Sequence, residues 1–234
     1  MRKLLMAIMV LCAAGQAFAL TPIGPPAATL DKGQFAAGFG YSNSKGDVEG
    51  TVLGISLTLE DVELDTYMAN LVFGIAQDLE LQIDLGASSY DDGDYSSSGD
   101  FAAGFVLRST FAETDKVKWG VASSVHWYEA SGSGETLGIQ WTEKDTWTEI
   151  QIAVGPSYTE DRFCLYGGPL MHFINGDVEG TIAGIPVSGD FEEDSMFGGF
   201  VGARIEIAKN TELGIEYLMT GSANAVGASI LWRF

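Results

Sequence analysis

The sequence predicts an all-β fold: a single up-and-down antiparallel barrel of about ten strands. Three observations support this prediction. Apolar residues alternate with small or polar residues over many short segments, and this period of two is typical of strands. Turn-forming residues bound each segment, and the connections alternate between short and long. Beyond the N-terminal region, no uninterrupted apolar run has the roughly 20 residues that a membrane-spanning helix needs.

The N-terminal region has the pattern of a processing signal. Arg2 and Lys3 precede an apolar run over residues 4–14, and Ala17-Phe18-Ala19 forms an A-x-A cleavage pattern. We therefore predict a cleaved signal peptide at residues 1–19 and a mature chain that starts at Leu20. The protein is expected to be exported.

The composition excludes some classes of function. The chain has 32 acidic and 12 basic residues, a formal net charge of −20. Nucleic acid is therefore not expected as a partner, because its binding depends on basic groups that displace counterions. One of the two cysteines, Cys12, lies in the signal peptide. Cys164 then remains alone, and no intramolecular disulfide is expected.

Residues 20–33 are rich in Pro and Gly and show no period. They are predicted to form an irregular periplasmic segment under the barrel, which itself comprises residues 34–234. Ten alternating segments follow, at residues 34–44, 65–75, 79–90, 100–111, 117–129, 146–158, 163–174, 195–207, 212–220 and 223–234.

The connections between these segments have unequal lengths. Those at 76–78, 112–116, 159–162 and 208–211 are short, whereas those at 45–64, 91–99, 130–145 and 176–194 are mostly longer and acidic. Short periplasmic turns and long outer loops are typical of barrels in an outer membrane. An even number of strands then places both termini on the periplasmic side. If the loop hairpins are themselves barrel strands, the barrel has twelve strands. If the first strand is displaced from the barrel, it has eight.

Aromatic spacing distinguishes a transmembrane barrel from a soluble sandwich. Phe101 and Phe111 share one strand face ten residues apart, as do Phe163 and Phe173. At ~3.4 Å per residue and a tilt of roughly 40°, this spacing projects to about 26 Å. That height matches the ~25 Å apolar band between two aromatic girdles. Outer-membrane lipid is therefore the expected surrounding of the barrel.

The A-x-A signal, the ten amphipathic strands and the terminal "ILWRF" resemble small outer-membrane β-barrel proteins of Gram-negative bacteria, the opacity/OmpA-transmembrane-like superfamily. The resemblance covers the mature chain in architecture but only the last strand in motif. In such families, an alternating last strand with a C-terminal Phe is recognised by the barrel-insertion machinery. The resemblance thus implies an outer-membrane location, and an insertion signal at Ile230, Trp232 and Phe234.

Strand parity predicts a charged lumen. The inward residues include Glu80, Asp84, Arg108, Lys118, Glu149, Arg204, Glu206, Glu212, Glu216 and Arg233, with His126 and His172 towards the outside. These charges are expected to pair, because an isolated buried charge is very costly. Inward glycines such as Gly120 are expected to make room for long side chains. The alternative is a thin water-filled path whose acidic excess favours cations.

A repeat marks two of the long loops. "GDVEGTVLGISL" starts at Gly46, and "GDVEGTIAGIPV" starts at Gly176. The copies predict hairpins that extend above the membrane, or an old duplication. Alternatively, their acids form a rim that attracts divalent cations or a basic ligand, with the residues Asp47, Glu49, Asp177 and Glu179. Asp92 and Asp94 lie in a further acidic loop that lacks the central Gly and closing Glu of a calcium loop, so only weak calcium binding is conceivable there.

No enzymatic activity, cofactor or metal is expected. Ser124, His126 and His172 are candidates for hydrolysis, but a Ser and a His two residues apart occur easily by chance. Neither an Asp next to a His nor a His-Ser signature at a strand tip, as outer-membrane hydrolases show, is evident. The predicted function is a structural or surface-interaction role of a monomeric barrel with low or no conductance. A narrow cation-preferring, porin-like pore for small solutes is the alternative, and a surface hydrolase is a distant third.

Overall fold

A computed structural model describes residues 20–52, 55–91, 99–136, 139–192 and 196–234. The strands are β1 Phe35–Val52, β2 Ile55–Ala76, β3 Leu79–Asp91, β4 Asp100–Glu113, β5 Val117–Thr136, β6 Ile139–Glu160, β7 Phe163–Ile182, β8 Ile185–Glu192, β9 Met196–Ala208, β10 Thr211–Met219 and β11 Ala223–Arg233. Among these residues, no helix is long and apolar enough to cross a membrane.

Ten of the strands form a closed antiparallel ring. Each of β1 to β6 pairs with its successor, β7 pairs with β9, and β10 and β11 follow. The last strand returns to the first, in register from Ala36 opposite Arg233 to Gly46 opposite Ala223. The prediction of a ten-stranded barrel is therefore confirmed. The remaining strand, β8, lies outside the ring, in one of the hairpins predicted for the repeated segments.

The outward face of the ring is apolar over a band with an aromatic belt at each edge. One belt lies near the short turns and includes Phe35, Phe73, Phe111, Trp119, Phe163 and Trp232, all exposed. The other lies near the long hairpins and includes Tyr41, Tyr67, Phe101, Phe197 and Tyr217, also exposed. Large exposed apolar side chains on every strand are stable only where hydrocarbon replaces water.

The two ends of the barrel differ in their connections. At the turn end, Asp78, Asp161 and Asn210 adopt positive φ angles of 61°, 52° and 64°. Asp and Asn tolerate this left-handed conformation better than most residues, because their short polar side chains bond locally. At the opposite end, here called the hairpin end, the strand pairs β1–β2, β5–β6 and β7–β8 continue well past the apolar band.

We call these three continuations the extension. It comprises the described residues within 43–65, 129–147 and 175–192. Both copies of the sequence repeat lie in the extension, and each crosses a hairpin. Ala183 and Gly184 form the two-residue tip between β7 and β8, with φ angles of 51° and 78°. Positive φ at both central residues is typical of tight β-hairpin turns.

Strand β8 connects two parts of the extension. It runs back along β7, from Ile185 opposite Ile182 to Glu192 opposite Asn175. It also reaches β1, where Asp190 pairs with Thr51. Because β9, β10 and β11 have only 13, 9 and 11 residues, β8 spans the gap above their ends.

Candidate functional site

The lumen contains part of the chain itself. Residues 20–30, here named the plug, have no regular secondary structure, and Leu20, Ile23 and Leu30 are each at most 4% exposed. The segment leads into β1 at the turn end, and its earlier residues lie deeper in the lumen. The expected position under the barrel is thus replaced by one inside it. The reason is that irregular backbone leaves N–H groups unsatisfied, and the lumen carboxylates accept them.

Glu80 on β3 holds the part of the plug nearest the turn end. One of its oxygens accepts hydrogen bonds from the backbone N–H of Thr29 (2.8 Å), the Thr29 hydroxyl (2.9 Å) and the N–H of Leu30 (3.0 Å). Its other oxygen accepts from Arg108 Nη1 at 2.8 Å. Glu80 and Arg108 are both 1% exposed, and they lie directly opposite each other on β3 and β4.

Arg108 and Glu216 hold the middle of the plug from two sides. Nε and Nη2 of Arg108 donate to the carbonyl of Ile23. From β10, the two oxygens of Glu216 accept the consecutive N–H groups of Ile23 and Gly24, at 2.9 and 2.8 Å. Gly24 has a φ of 72°, and an added Cβ would lie 2.5 Å from Nη2 of Arg204. Both conditions favour glycine.

Glu149 on β6 holds the deepest part of the plug. It accepts hydrogen bonds from the backbone N–H of Thr21 at 3.2 Å and from the Thr21 hydroxyl at 2.7 Å. Tyr128, His172 and Gln151 also donate hydrogen bonds to Glu149, and those from Tyr128 and His172 are each 3.1 Å long. Glu149 is fully buried, so these donors replace the water that its carboxylate would otherwise bind.

His126 belongs to a neighbouring polar group. Its Nε2 lies 3.0 Å from Asp84 Oδ2, while Asn70 and Gln82 donate to the other oxygen of Asp84. Ser124 is inward-facing on the same strand, but its hydroxyl has no hydrogen-bond partner among the described residues. The lumen therefore holds two buried carboxylate–histidine pairs, Asp84 with His126 and Glu149 with His172.

The predicted charges at the turn end form a separate group. Arg233 and Glu212 form an ion pair of 2.7 Å, and Lys118 lies 3.5 Å from Glu113. Arg204, Glu206, Glu212 and Arg233 line a cavity of about 380 Å³ below the plug, together with Cys164. Within the described ranges, no group of three His, Cys, Asp or Glu side chains is arranged to hold a metal ion.

At the hairpin end, an apolar cluster lies above the plug. The rings of Tyr128 and Trp147 stack with centroids 5.2 Å apart, and Leu64, Ile174 and Val178 belong to the same buried cluster. Next to Trp147 on the inner face of the extension are Asp145 and Glu143, which are 2% and 5% exposed. Burial raises the pKa of Asp145 to about 7.

The outer-loop acids are described only in part. Asp177 and Glu179 are exposed on the outer face of β7. Asp92 and Asp94 lie outside the described residues, and so do the side chains of Asp47 and Glu49. Nothing described brings the predicted rim together as a single site.

The C-terminal residues lie on the outer face of the closing strand. Trp232 and Phe234 are 41% and 67% exposed, and Ile230 is partly buried. The ring of Phe234 stacks on Phe35 at 4.9 Å, and its backbone N–H donates to the Phe35 carbonyl at 2.9 Å. The final residue is therefore attached to the first strand.

The plug residues are the part of the site that sequence reasoning missed. One signal was available in Gly120, which faces inward on β5. A Cβ at Gly120 would lie 2.4 Å from Cα of Ala27. The space beside Gly120 is therefore occupied by the plug backbone and not by a long side chain. Thr21, Ile23 and Thr29 carry no sequence pattern that marks them as ligands of distant carboxylates.

Comparison with known proteins agrees with this architecture. No curated protein matches the chain. Among solved structures, it is similar to the translocator domain of the autotransporter NalP from Neisseria meningitidis (11% identity, 100% of this chain and 94% of that one, TM-score 0.54). It is also similar to the outer membrane protease OmpT from Escherichia coli (11% identity, 86% and 97%, TM-score 0.53). An outer membrane channel from Pseudomonas putida F1 matches with 13% identity over 92% and 100% of the chains and a TM-score of 0.47.

At these identities the likeness extends to the fold alone. The family model of the outer membrane protein beta-barrel domain, however, matches residues 4–234. This range includes every strand of the ring. The chain therefore belongs to the outer membrane protein beta-barrel family.

Proposed function

We propose that this protein is a closed barrel that conducts ions poorly or not at all, and that it acts at the cell surface through its extension. One observation carries the proposal: the lumen is occupied by the plug, which buried carboxylates hold from several strands. Glu80, Glu149 and Glu216 bind its backbone at three heights. Displacing the plug would leave these carboxylates without their donors, which is costly inside a barrel.

Two further features support a closed lumen. The apolar cluster of Tyr128, Trp147 and their neighbours lies above the plug, at the base of the extension, where it excludes water. The cavity beside the plug measures about 70 Å³, which holds a few water molecules. A solute of the size of a sugar does not fit in that space.

The extension is the candidate interaction surface. It presents paired strands beyond the apolar band, with Asp177 and Glu179 exposed on its outer face. A basic ligand or divalent cations are the partners that such acids favour. The proposal includes a cleaved signal peptide, a monomeric barrel, and insertion through the terminal residues Ile230, Trp232 and Phe234.

Single-channel recording in a planar bilayer tests the closed state. We expect the mature protein, residues 20–234, to fold and to show no steady openings. A variant that starts at Gln34 lacks the plug and should show openings. As a control, a variant shortened within residues 177–190 should stay silent, because it keeps the plug.

The same recording decides the alternative pore function. The carboxylates around the plug outnumber the guanidinium groups there, so a conducting path would favour cations. The carboxylates are those of Glu80, Asp84, Glu149 and Glu216, and the guanidinium groups are those of Arg108 and Arg204. Steady, cation-preferring openings of the mature protein would overturn the closed barrel in favour of a narrow pore.

A further inference from the structure

The upper lumen has buried carboxylates that no Lys or Arg side chain pairs with among the described residues. Glu149 is 0% exposed and Asp84 is 2% exposed. Among the described residues, the basic side chains within 4 Å of these carboxylates are His126 and His172. Arg108 pairs with Glu80 instead.

Covalent geometry places the expected mature N-terminus in the same part of the lumen as Glu149. Thr21 donates its backbone N–H to Glu149 Oε1 at 3.2 Å. Successive backbone nitrogens are at most about 3.7 Å apart, so the nitrogen of Leu20 lies no farther than about 7 Å from that oxygen. Leu20 is 1% exposed, and a charged group on it is therefore inside the lumen.

The surroundings of Glu149 also contain a buried acceptor that lacks a donor. Gln151 Oε1 has no hydrogen-bond partner within the described part of the chain. Its side chain faces inward two residues from Glu149 on the same strand, and it is 0% exposed. An orphaned acceptor beside a buried carboxylate is a setting that a cation with several N–H groups would satisfy.

We propose that the α-ammonium group of mature Leu20 is the counter-charge of Glu149, so that removal of the signal peptide completes the lumen network. Hydrolysis of the Ala19–Leu20 bond by water, catalysed by a signal peptidase, leaves a carboxylate on Ala19 and an ammonium on Leu20. The amide nitrogen of Leu20, which has one donor and no charge, becomes a group with three donors and a positive charge. Removal of the signal peptide then fixes the plug in the lumen. This inference rests on the proposed function of a closed barrel.

The test compares three forms of the chain that starts at Leu20: one with a free amine, one acetylated only at that amine, and one that retains Ala19. Acetylation removes the charge, whereas Ala19 moves the charge by one residue. Unfolding rates in urea are measured in lipid vesicles by loss of the heat-modifiable folded band on gels. We expect both changes to accelerate unfolding at least tenfold.

The Glu149→Gln variant tests whether the charge acts through Glu149. Acetylation should have little effect in this background, but its full effect in the matched control Glu212→Gln, whose carboxylate pairs with Arg233 at the turn end. An equal effect of acetylation in wild type and Glu149→Gln would overturn the proposal. If Glu149→Gln does not fold, a chain with Ala19 that is as stable as the chain from Leu20 would overturn it.

Planar-bilayer recording of the free-amine form separates this proposal from the closed barrel. If the barrel shows no openings and acetylation has the same effect in wild type and Glu149→Gln, the closed barrel stands but the ammonium is not the counter-charge of Glu149. A conducting free-amine form removes the closed state itself, whatever the unfolding rates are.

Discussion

At the level of single residues, the ion pairs of the barrel fall into two kinds. Glu80 and Arg108 have side chains that are 2% exposed, and both also bind the plug. Arg233 and Glu212 lie at the turn end, where the side chain of Arg233 is 35% exposed. Water can replace a lost partner at the second pair but not at the first. The consequences of breaking them should therefore differ greatly.

Replacing Arg108 by Met should destabilise the barrel by roughly 3–5 kcal/mol, because Glu80 then stays buried with a charge and no cation. The double variant Arg108→Met/Glu80→Met should recover part of this loss, since it removes both charges. Urea unfolding in vesicles measures the change. Arg233→Met is the control, with an expected loss of less than about 1 kcal/mol. Equal losses for Arg108→Met and Arg233→Met would contradict the distinction.

At the level of elements, period-two patterning predicted the strands where one face meets lipid. The prediction for β3 was residues 79–90, and the strand is Leu79–Asp91. The same pattern failed in the extension, where β6 begins at Ile139 and not at residue 146. Its outward residues there, Thr142, Lys144 and Thr146, are polar, so no apolar face marks the strand.

Glu80, Arg108, Glu149 and Glu216, which strand parity assigned to the inner face, are buried in the structure. The plug could not be predicted in this way, because it has no regular backbone and its partners are distant in sequence. Ile23 and Glu216 are 193 residues apart, and Thr29 and Glu80 are 51 apart. Only the closed ring brings such groups together.

The contact between β5 and the plug gives a second prediction. Gly120→Ala places a methyl group against the backbone of Ala27, at 2.4 Å from its Cα, and this overlap should cost roughly 1–3 kcal/mol. Gly40→Ala is the matched control: it also faces inward, and its nearest contact would be an ordinary 3.7 Å. The control should be neutral or slightly stabilising, since Ala suits a strand better than Gly. If both variants unfold at the same urea concentration, the plug does not press on Gly120.

The extension should loosen as the pH rises. Burial raises the pKa of Asp145 from 3.8 to about 7 in the folded protein. A raised pKa means that the protonated form favours the fold, so the contribution is complete below pH 3.8 and is lost as the pH rises through about 7. Amide exchange of β6 near Asp145, corrected for intrinsic rates, should show less protection at pH 8 than at pH 5. In Asp145→Asn, protection that still falls by the same amount would show that another group is responsible.

At the level of the whole molecule, family membership places the chain in the bacterial outer membrane. The ring and the extension are built differently within it. Every ring strand is paired on both sides, while β8 meets β1 through a single described pair, Thr51 with Asp190. The ring should accordingly be stable without β8.

Deleting residues 177–190 and joining the ends should leave a folded, heat-modifiable barrel. The pairing of β7 with β9 runs from His172 opposite Met196 to Phe163 opposite Ile205, and it involves none of the deleted residues. A gel-shift assay after refolding measures the outcome. Deleting residues 223–234 is the contrasting control, because it removes β11 and opens the ring. Failure of the first variant to fold would mean that β8 supports the ring.

The position of the plug also orders the steps by which the chain assembles. Its carboxylate partners come from β3, β6 and β10, so the docking site does not exist until strands from the whole length of the chain have met. Residues 20–30 should therefore be among the last to settle. Until they dock, the ring would enclose an unfilled lumen, which the chain would then fill from within.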